Sequence, residues 1–299
     1  MLINSVGGGG SGAEILLAVS VASGAVVTAA KGSLMVTGVA VNGLCTLSIP
    51  EAGEWTVSAT LEDMTSDTQT VTVVGNYSSA LTFGDSIGQK AVGSSVYLNV
   101  NGVRTEFLVV QQGKPNSTYD DSCDGTWLLM NSAYDKRSWG NVSSGWYEDS
   151  GIYTFLNGDF LDLLDSAIRG QVKQVKVPYM GKDYAVHSGA NGLTVKAFLL
   201  SSVEVGFPNS GGYGAANEGA RLSHFPSGSS VAAKRVLQPG LSWWTRSLYG
   251  NDVGRVTYVG INGEGGYTYN TAETTTFSLR PAIIVPSNLL VTNDGTLRG

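Results

Sequence analysis

Two apolar blocks that each carry an arginine enclose a polar, tyrosine-rich stretch near the end of the sequence. The first block is S-W-W-T-R-S at residues 242–247, and the second is R-P-A-I-I-V at residues 280–285. Tyrosine offers a large contact area at low entropic cost, while asparagine, serine and glycine offer adaptable hydrogen bonding, and together they compose a binding surface. A catalytic centre instead gathers a few titratable groups with perturbed pKa values. The residues predicted to contact a ligand are Tyr249, Asn251, Asp252, Arg255, Thr257, Tyr258, Asn262, Glu264, Tyr267, Tyr269, Thr271 and Glu273.

The two blocks themselves are predicted to form a structural frame around that stretch. The frame consists of Trp243, Trp244, Arg246, Arg280 and Pro281. Both arginines stand among apolar residues, and a buried arginine needs a partner because an uncompensated buried charge is strongly destabilising. Successive side chains in a strand point to opposite faces, so we expect one tryptophan to point inward and the other toward the rim.

The sequence offers little for catalysis or for binding zinc. His187 and His224 are the only histidines, whereas a hydrolytic triad needs a nucleophile, a histidine and an acid held together. No G-x-S-x-G motif is present. Zinc requires several His or Cys ligands at short spacing, but Cys45 and Cys123 are far apart in the chain and distant from both histidines. We therefore expect a protein without enzymatic activity, in which both histidines are polar loop residues.

An acidic cluster, Y-D-D-S-C-D-G, places Asp120, Asp121 and Asp124 close together. Calcium prefers carboxylate and carbonyl oxygens, so a calcium site at this cluster is one interpretation. The spacing is not that of an EF-hand loop, and a turn capped by aspartate is the favoured interpretation. We predict no cofactor.

Composition and charge reduce the classes of binding partner that the chain is expected to have. The chain has 299 residues, 14% of them charged, and a net charge of −6. No basic stripe is present, which disfavours nucleic acid and an anionic membrane surface. The apolar run 15–30 is interrupted by serine, glycine and threonine, so a pair of strands is favoured there over a membrane helix. The two cysteines are predicted to be separate thiols rather than a disulfide.

Turn signals divide the chain into a leader, two domains and a connector. Residues 1–12 end in G-G-G-G-S-G, which is typical of a flexible linker. Residues 13–75 contain short strands and an Asn42–Gly43 hairpin signal, and they predict a β-sandwich. A connector at 76–88 leads to residues 89–299, where strands surround a helical pattern at 150–175 that Asn157–Gly158 divides into two short helices. The predicted fold class is α+β, with an all-β sandwich followed by a mixed domain.

Two resemblances accompany these patterns. The stretch G-L-C-T-L-S-I-P-E-A-G-E-W-T-V-S-A-T resembles immunoglobulin-like and prealbumin-like modules of surface and phage tail proteins. The pieces V-Y-L-N-V-N-G-V-R-T-E-F-L-V-V, D-G-T-W-L-L-M, H-S-G-A-N-G-L-T-V-K-A-F-L-L, W-W-T-R-S and L-R-P-A-I-I-V-P resemble a domain with a C-type-lectin-like fold found in gut bacteria and their phages. The tryptophan–arginine frame also resembles variable proteins diversified by retroelements, including phage receptor-binding tips.

The resemblances imply a binding protein of a phage particle, located in the virion and attached to a protein or glycan on a bacterial surface. The N-terminal domain would contact other virion proteins, and a homotrimer is expected if the chain caps a fibre. The calcium-dependent sugar-binding tripeptides of true lectins are absent, so the fold would not by itself imply sugar binding. The alternatives are a purely structural virion protein, a bacterial surface adhesin and a glycan-active enzyme.

Overall fold

The structure is a computed structural model of the chain. It describes residues 3–4, 15–21, 23–61, 64–65, 68–74, 77–82, 85–140, 145–208, 218–250, 252–269, 276–291 and 295–298. The chain divides into two compact units. Unit 1 contains residues 1–89 and 288–299, and unit 2 contains residues 90–287.

Short strands make up most of the regular structure in the described chain. The first ten are β1 Ile3–Asn4, β2 Ile15–Ser20, β3 Val26–Lys31, β4 Leu34–Val39, β5 Leu44–Ile49, β6 Gly53–Leu61, β7 Met64–Thr65, β8 Gln69–Val73, β9 Tyr77–Thr82 and β10 Asp85–Ser86. Next are β11 Ser95–Val100, β12 Val103–Gln112, β13 Thr126–Met130, β14 Lys136–Arg137, β15 Val175–Val177, β16 Tyr179–Met180, β17 Val186–His187, β18 Leu193–Val195 and β19 Ala197–Phe198. The last are β20 Trp243–Tyr249, β21 Asp252–Val259, β22 Gly265–Tyr269, β23 Phe277–Ser278, β24 Ala282–Val285, β25 Leu290–Val291 and β26 Leu297–Arg298.

The α-helices of the described chain are also short. They are α1 Gly151–Leu156, α2 Asp159–Asp162, α3 Ser166–Gln171 and α4 Val231–Arg235. In total, 45% of the structure is strand and 12% is helix, so the protein is β-rich.

Unit 1 encloses one core between two sheets. Among its described strands, one sheet has the order β1-β9-β2-β5 and the other the order β4-β3-β6-β7, with β8 also paired to β6. Alternate side chains of β5 are buried and exposed, as the period of two in a strand requires when one face meets a core. Trp55, Leu17, Val27 and Leu47 are among the core side chains. The run 15–30 thus forms strands, and no helix among the described residues is long and apolar enough to cross a membrane.

Unit 1 differs from the sequence-based expectation in several details, one of which is that β9 and β10 lie in the expected connector 76–88 and pair with β2 and β25. Asn42 and Gly43 form a tight turn at positive φ, but β4 and β5 on either side belong to different sheets, and β5 pairs with β2. The turn carries the chain between layers because β4 and β5 contribute to opposite sides of the core. Residues 288–299, expected in the second domain, belong to unit 1, where β25 pairs with β10 and β26.

Unit 2 is built on two larger sheets. Its described strands form one sheet of order β11-β12-β13-β24-β19 and another of order β14-β23-β20-β21-β22. The main core includes Trp127, Phe198, Trp243 and Ile284, so it receives side chains from both sheets.

The helical region of unit 2 begins where the Ser150 hydroxyl accepts a hydrogen bond from the Tyr153 amide, which caps α1. The predicted break at Asn157–Gly158 separates α1 from α2. A third helix, α3, follows, where two had been expected. Ile152, Phe155, Leu156 and Phe160 are buried, so the apolar side of α1 and α2 faces the protein interior.

The two sheets of unit 1 approach each other closely at Gly38, and a substitution at this position tests that packing. A Cβ at this position would lie 2.8 Å from both the Cys45 Sγ and the Leu47 Cδ2. We expect Gly38→Ala to lower the free energy of unfolding by about 1–3 kcal/mol, because inserted core volume forces neighbouring side chains apart. Gly170→Ala is the matched control, since no atom lies near its added methyl group and Ala stabilises a helix by roughly 0.5–1 kcal/mol relative to Gly. Chemical denaturation of both variants measures the difference, and equal stability would contradict the tight packing at Gly38.

Candidate functional site

Of the residues predicted to contact a ligand, those that the structure describes lie on β20, β21, β22 and the turn between β21 and β22. These strands are antiparallel, and Thr257 lies directly across from Tyr267, while Tyr258 lies across from Gly266. Side chains on β21 alternate between two faces of the sheet. The predicted set is therefore divided between the two faces and does not form one continuous surface.

Thr257 is held inside unit 2, and Tyr258 is only partly exposed. Thr257 is fully buried, and its hydroxyl lies 2.5 Å from the Thr245 hydroxyl and 2.9 Å from the Ser247 carbonyl oxygen. The half-buried Tyr258 ring lies 4.4 Å from the Phe277 ring, measured between centroids. Thr257 therefore supports the sheet from within, and its assignment as a ligand contact is corrected, whereas the assignment of the half-buried Tyr258 stays a prediction.

Gly266 explains the position of the Tyr258 ring. A Cβ on Gly266 would lie only 2.3 Å from the Tyr258 ring. The tyrosine thus lies across the glycine on the neighbouring strand, because the absence of a side chain leaves room for it.

A partly exposed cluster remains on the face opposite the Tyr258 ring, and we call Tyr249, Asp252, Arg255 and Tyr267 the tyrosine–arginine cluster. The Tyr249 and Tyr267 rings have centroids 4.0 Å apart. The Arg255 guanidinium carbon lies 5.0 Å from the centroid of the Tyr267 ring, and Arg255 Nε lies 3.1 Å from Asp252 Oδ2. Tyr267 remains 41% exposed. Contacts within the cluster thus orient aromatic and charged groups at the surface.

Asn262 and Glu264 are exposed on the turn that follows β21. The Gly260 amide donates to the Glu264 carbonyl oxygen at 2.7 Å. Gly263 has φ +78°, and a Cβ there would lie 2.0 Å from the Ala232 carbonyl oxygen of α4. Only glycine fits this position, so the turn packs closely against α4.

Three predicted contact residues, Asn251, Thr271 and Glu273, lie outside the described residues. Tyr269 is described through its backbone, which pairs with Arg255 across β21 and β22.

Both frame tryptophans are buried, which corrects the expectation that one would reach the rim. Trp243 joins the main core and donates from Nε1 to the Arg235 carbonyl oxygen at 3.0 Å. Trp244 points to the other face, where its Nε1 donates to the Arg137 carbonyl oxygen at 2.8 Å and its ring contacts Trp139. The strand alternates as expected, but protein covers this part of the sheet on both faces.

Arg246 forms a fully buried ion pair with Glu204. Its Nη1 and Nη2 each lie 2.6 Å from one oxygen of the carboxylate. The guanidinium also donates to the carbonyl oxygens of Pro178 and Leu199. Burial alone would lower the pKa of Arg246, but the Glu204 carboxylate outweighs burial and the pKa is raised.

Further donors complete the hydrogen bonding of Glu204. The Tyr119 hydroxyl and the Ser201 amide each donate to it at 2.8 Å. The Ser201 hydroxyl in turn donates to the Glu218 carbonyl oxygen at 2.7 Å. No sequence motif identifies Glu204 or Glu218 as a functional residue. The available signal was an acidic residue inside the otherwise apolar run V-E-V-G-F at 203–207.

Glu218 is a second buried carboxyl group beside Arg246. Burial raises its pKa to about 7, although Arg246 and a hydrogen bond from Ser247 act in the opposite direction. Its Oε2 is buried and has no hydrogen-bond partner among the described residues. A protonated, neutral form is therefore accessible to this group near neutral pH.

Arg280 is buried without a carboxylate partner among the described residues. Its Nε donates to the Met130 carbonyl oxygen at 2.9 Å, and its guanidinium carbon lies 5.2 Å from the centroid of the Trp243 ring. Burial lowers its pKa to about 10. The adjacent Pro281 carbonyl oxygen accepts from the Met130 amide at 2.9 Å. These contacts fasten β24 to β13 beside the core.

The acidic residues around position 120 form a capped turn. The Asp120 carboxylate accepts from the Ser122 amide at 2.9 Å, and hydrogen bonds from Ser122 lower its pKa. Asp121 pairs with Lys114. Among the residues the structure describes, no group of three or more His, Cys, Asp or Glu side chains could hold a metal ion.

The two histidines have different surroundings. His187 Nε2 lies 2.9 Å from Asp183 Oδ1, and both side chains are partly exposed. His224 is largely buried, and burial lowers its pKa to about 4. Cys45 and Cys123 are buried free thiols. Each of the two histidines and two cysteines thus has its own local surroundings in the described part of the chain.

One family model, described as a domain of unknown function (DUF6273), matches residues 124–287. The match covers just over half of the chain and includes both the Arg246–Glu204 pair and the tyrosine–arginine cluster. No curated protein and no solved structure matches the chain.

Removal of the Glu204 charge tests the buried ion pair. We expect Glu204→Gln to lower the free energy of unfolding by about 3–5 kcal/mol, because Arg246 would remain buried without a counter-charge. Asp162→Asn removes a carboxylate that pairs with Arg169 at the exposed surface, and it is expected to cost less than about 1 kcal/mol. Denaturant titration of both variants measures this difference, and similar losses would refute the special role of Glu204.

Glu218 is expected to make stability depend on pH. Its pKa rises from 4.5 in the unfolded chain to about 7, so the folded protein retains a proton that the unfolded chain releases in this range. The stabilising contribution is complete below pH 4.5 and is lost as the pH rises toward 7, by on the order of 3 kcal/mol. Glu218→Gln should remove this slope.

Denaturant titrations of wild type and Glu218→Gln between pH 4.5 and 8 measure the effect as a difference between the two proteins. The comparison between the two proteins is needed because the lowered pKa of His224 makes stability rise with pH, opposite to the effect of Glu218, in both wild type and variant. Parallel stability profiles would show that Glu218 does not titrate in this window.

Proposed function

Because the chain belongs to the DUF6273 family, which is described only as a domain of unknown function, we propose its function from the site. Unit 2 is a non-enzymatic binding domain that attaches to a ligand on a bacterial surface through the tyrosine–arginine cluster. The observation that carries the proposal is the partly exposed Tyr267 ring, held between contacts with Tyr249 and Arg255.

Pre-organisation supports this role. A side chain that is immobilised on binding loses roughly 0.5–1.5 kcal/mol of conformational freedom. The contacts of Tyr267 with Tyr249 and Arg255 restrict the ring before a ligand arrives. Aromatic and arginine side chains are also the residues that most often dominate binding energy at interfaces. The cluster therefore combines suitable chemistry with a low ordering cost.

The other described residues of the predicted contact set contribute less to the proposed ligand contact than the tyrosine–arginine cluster does. Thr257 supports the sheet from within, and the half-buried Tyr258 ring packs on Phe277. Asn262 and Glu264 lie on the turn at the far end of β21, where they extend the contact surface for a ligand long enough to reach them. The proposed centre is thus narrower than the stretch between the two frame blocks.

The biological setting is proposed from the sequence motifs. Unit 2 would have a C-type-lectin-like organisation, and the chain would be a tail-tip, fibre or head-decoration component of a phage virion. Unit 1 would contact other virion proteins, and a homotrimer would present three clusters. Repeated weak contacts raise avidity through effective concentration. A bacterial cell-surface adhesin with the same cluster is the alternative setting.

The carboxylates do not favour a glycan-active enzyme. Hydrolysis would need two carboxyl groups facing one cleft. Glu204 and Glu218 are instead buried, and Glu204 is engaged by Arg246, Tyr119 and Ser201. No arrangement among the described residues specifically supports that function over binding.

Tyr267→Ala tests the proposed contact. We expect adsorption of the multivalent protein to a panel of gut bacteria to fall at least about tenfold, which corresponds to roughly 1.4 kcal/mol, with the melting temperature unchanged. Tyr97→Ala is the matched control, because Tyr97 also contacts an arginine, Arg104, but on another sheet. Tyr258→Ala should instead lower the melting temperature, since that ring packs on Phe277.

Cell-bound fluorescence and thermal unfolding of the three variants provide the readouts. Undiminished adsorption by folded Tyr267→Ala protein would overturn the assignment of the cluster. Adsorption of the wild type to none of the bacteria would favour the alternative of a purely structural virion protein.

A further inference from the structure

Two arginines approach the same backbone carbonyl near α4, at a distance in sequence from the tyrosine–arginine cluster. Arg235 Nη2 donates to the Gly206 carbonyl oxygen at 2.6 Å, and Arg221 Nη2 donates to the same oxygen at 3.4 Å. Gly206 has φ +82°, and a Cβ there would lie 3.3 Å from Arg221 Nε and 3.4 Å from Arg235 Nη2. Glycine therefore allows both guanidinium groups to gather at one point.

Arg235 is a buried cation held by neutral groups. It is 6% exposed, and its Nε and Nη1 donate to the carbonyl oxygens of Val205 and Gly263. Its guanidinium carbon lies 3.8 Å from the centroid of the Phe207 ring. Burial and the charge of Arg221 lower its pKa to about 10, so it still carries its charge at neutral pH.

Arg221 adds a second positive charge at an accessible position. It is exposed, and its Nη1 donates to the Pro226 carbonyl oxygen at 3.1 Å. Among the described residues, no Asp or Glu forms an ion pair with either arginine, although the chain carries a net charge of −6. Two like charges side by side repel each other, and an anion between them would remove that cost.

We propose that Arg221 and Arg235 form a binding site for a small oxyanion, such as a phosphate, sulfate or carboxylate group. A guanidinium has five N–H donors in a planar fork. Arg221 uses two of them in its contacts with Gly206 and Pro226, so three remain for the ligand. Arg235 uses three and retains two. Paired arginines with open donors match the oxygens of phosphate and carboxylate groups.

The segment that begins at Pro226 lies beside the proposed site. The contact between Arg221 and the Pro226 carbonyl oxygen places the beginning of the segment P-S-G-S-S at residues 226–230 beside the exposed arginine. Ser227, Ser229 and Ser230 are exposed, and their hydroxyl groups can donate to an oxyanion bound beside this segment. The site is independent of the proposed attachment cluster, because it shares no residue with it.

Arg221→Gln tests the site without disturbing the buried Arg235. Isothermal titration of the full chain with inorganic phosphate, sulfate and acetate, at fixed ionic strength balanced with chloride, is expected to show saturable binding. Arg221→Gln should weaken it at least tenfold, and Arg221→Lys should weaken it to an intermediate degree because lysine keeps the charge but loses the fork. Arg169→Gln removes one exposed positive charge elsewhere and should bind as the wild type does.

The three anions also separate the ligand classes. Binding of phosphate and sulfate in preference to acetate would assign the site to a tetrahedral oxyanion, whereas equal binding of acetate would assign it to oxyanions including carboxylates. Absence of saturable binding for all three, or equal affinity of wild type and Arg221→Gln, would overturn the proposal. Because Arg221→Gln leaves the tyrosine–arginine cluster unchanged, bacterial adsorption by this variant reports on that cluster separately.

Discussion

The ion pair between Arg246 and Glu204 is the interaction on which the interior of unit 2 depends. Two charges removed from water are tolerated only when good geometry and further hydrogen bonds compensate for the lost hydration. In unit 2 the compensation comes from the backbone at Pro178 and Leu199 and from the side chain of Tyr119. Segments distant in sequence are thereby required to meet at one point. Arg246 belongs to β20, so the pair also determines where the central strand of the second sheet lies.

The position of β20 governs what the neighbouring strands can display. Thr245 and Ser247 hold the hydroxyl of Thr257 across the strand boundary, and Trp243 and Trp244 anchor opposite faces of the sheet. Val256, Thr257 and Val259 of β21 are buried, whereas residues 252–255 are exposed or partly buried. The cover ends near Arg255, where Tyr249 and Tyr267 meet. The exposed Tyr267 ring thus lies next to β21, whose residues Val256, Thr257 and Val259 are buried, and its contacts with Tyr249 and Arg255 lower the entropic cost of binding.

Three buried arginines of unit 2 show different solutions to the same electrostatic problem. Arg246 uses a carboxylate, whereas Arg280 and Arg235 rely among the described residues on carbonyl oxygens and aromatic rings. Carbonyl groups satisfy N–H donors but supply no full negative charge, and the lowered pKa values of Arg235 and Arg280 reflect this difference. Of these three arginines, Arg235 is the one whose described contacts place it beside an exposed arginine, Arg221. The pairing of Arg235 with Arg221 makes it a candidate anion site, whereas Arg246 and Arg280 are structural anchors.

The sequence by itself determined the local features: the turn at Asn42–Gly43, the break after α1 and the arginine-bearing frame, because each depends on the conformational preference or polarity of neighbouring residues. It also indicated a β-rich chain. Only the tertiary structure decided that Glu204 would meet Arg246, that β4 and β5 would join different sheets, and that Thr257 would be buried while Tyr267 stays exposed. Those outcomes depend on contacts between distant segments, and alternation along a strand states which residues share a face but not which parts of that face the rest of the protein covers.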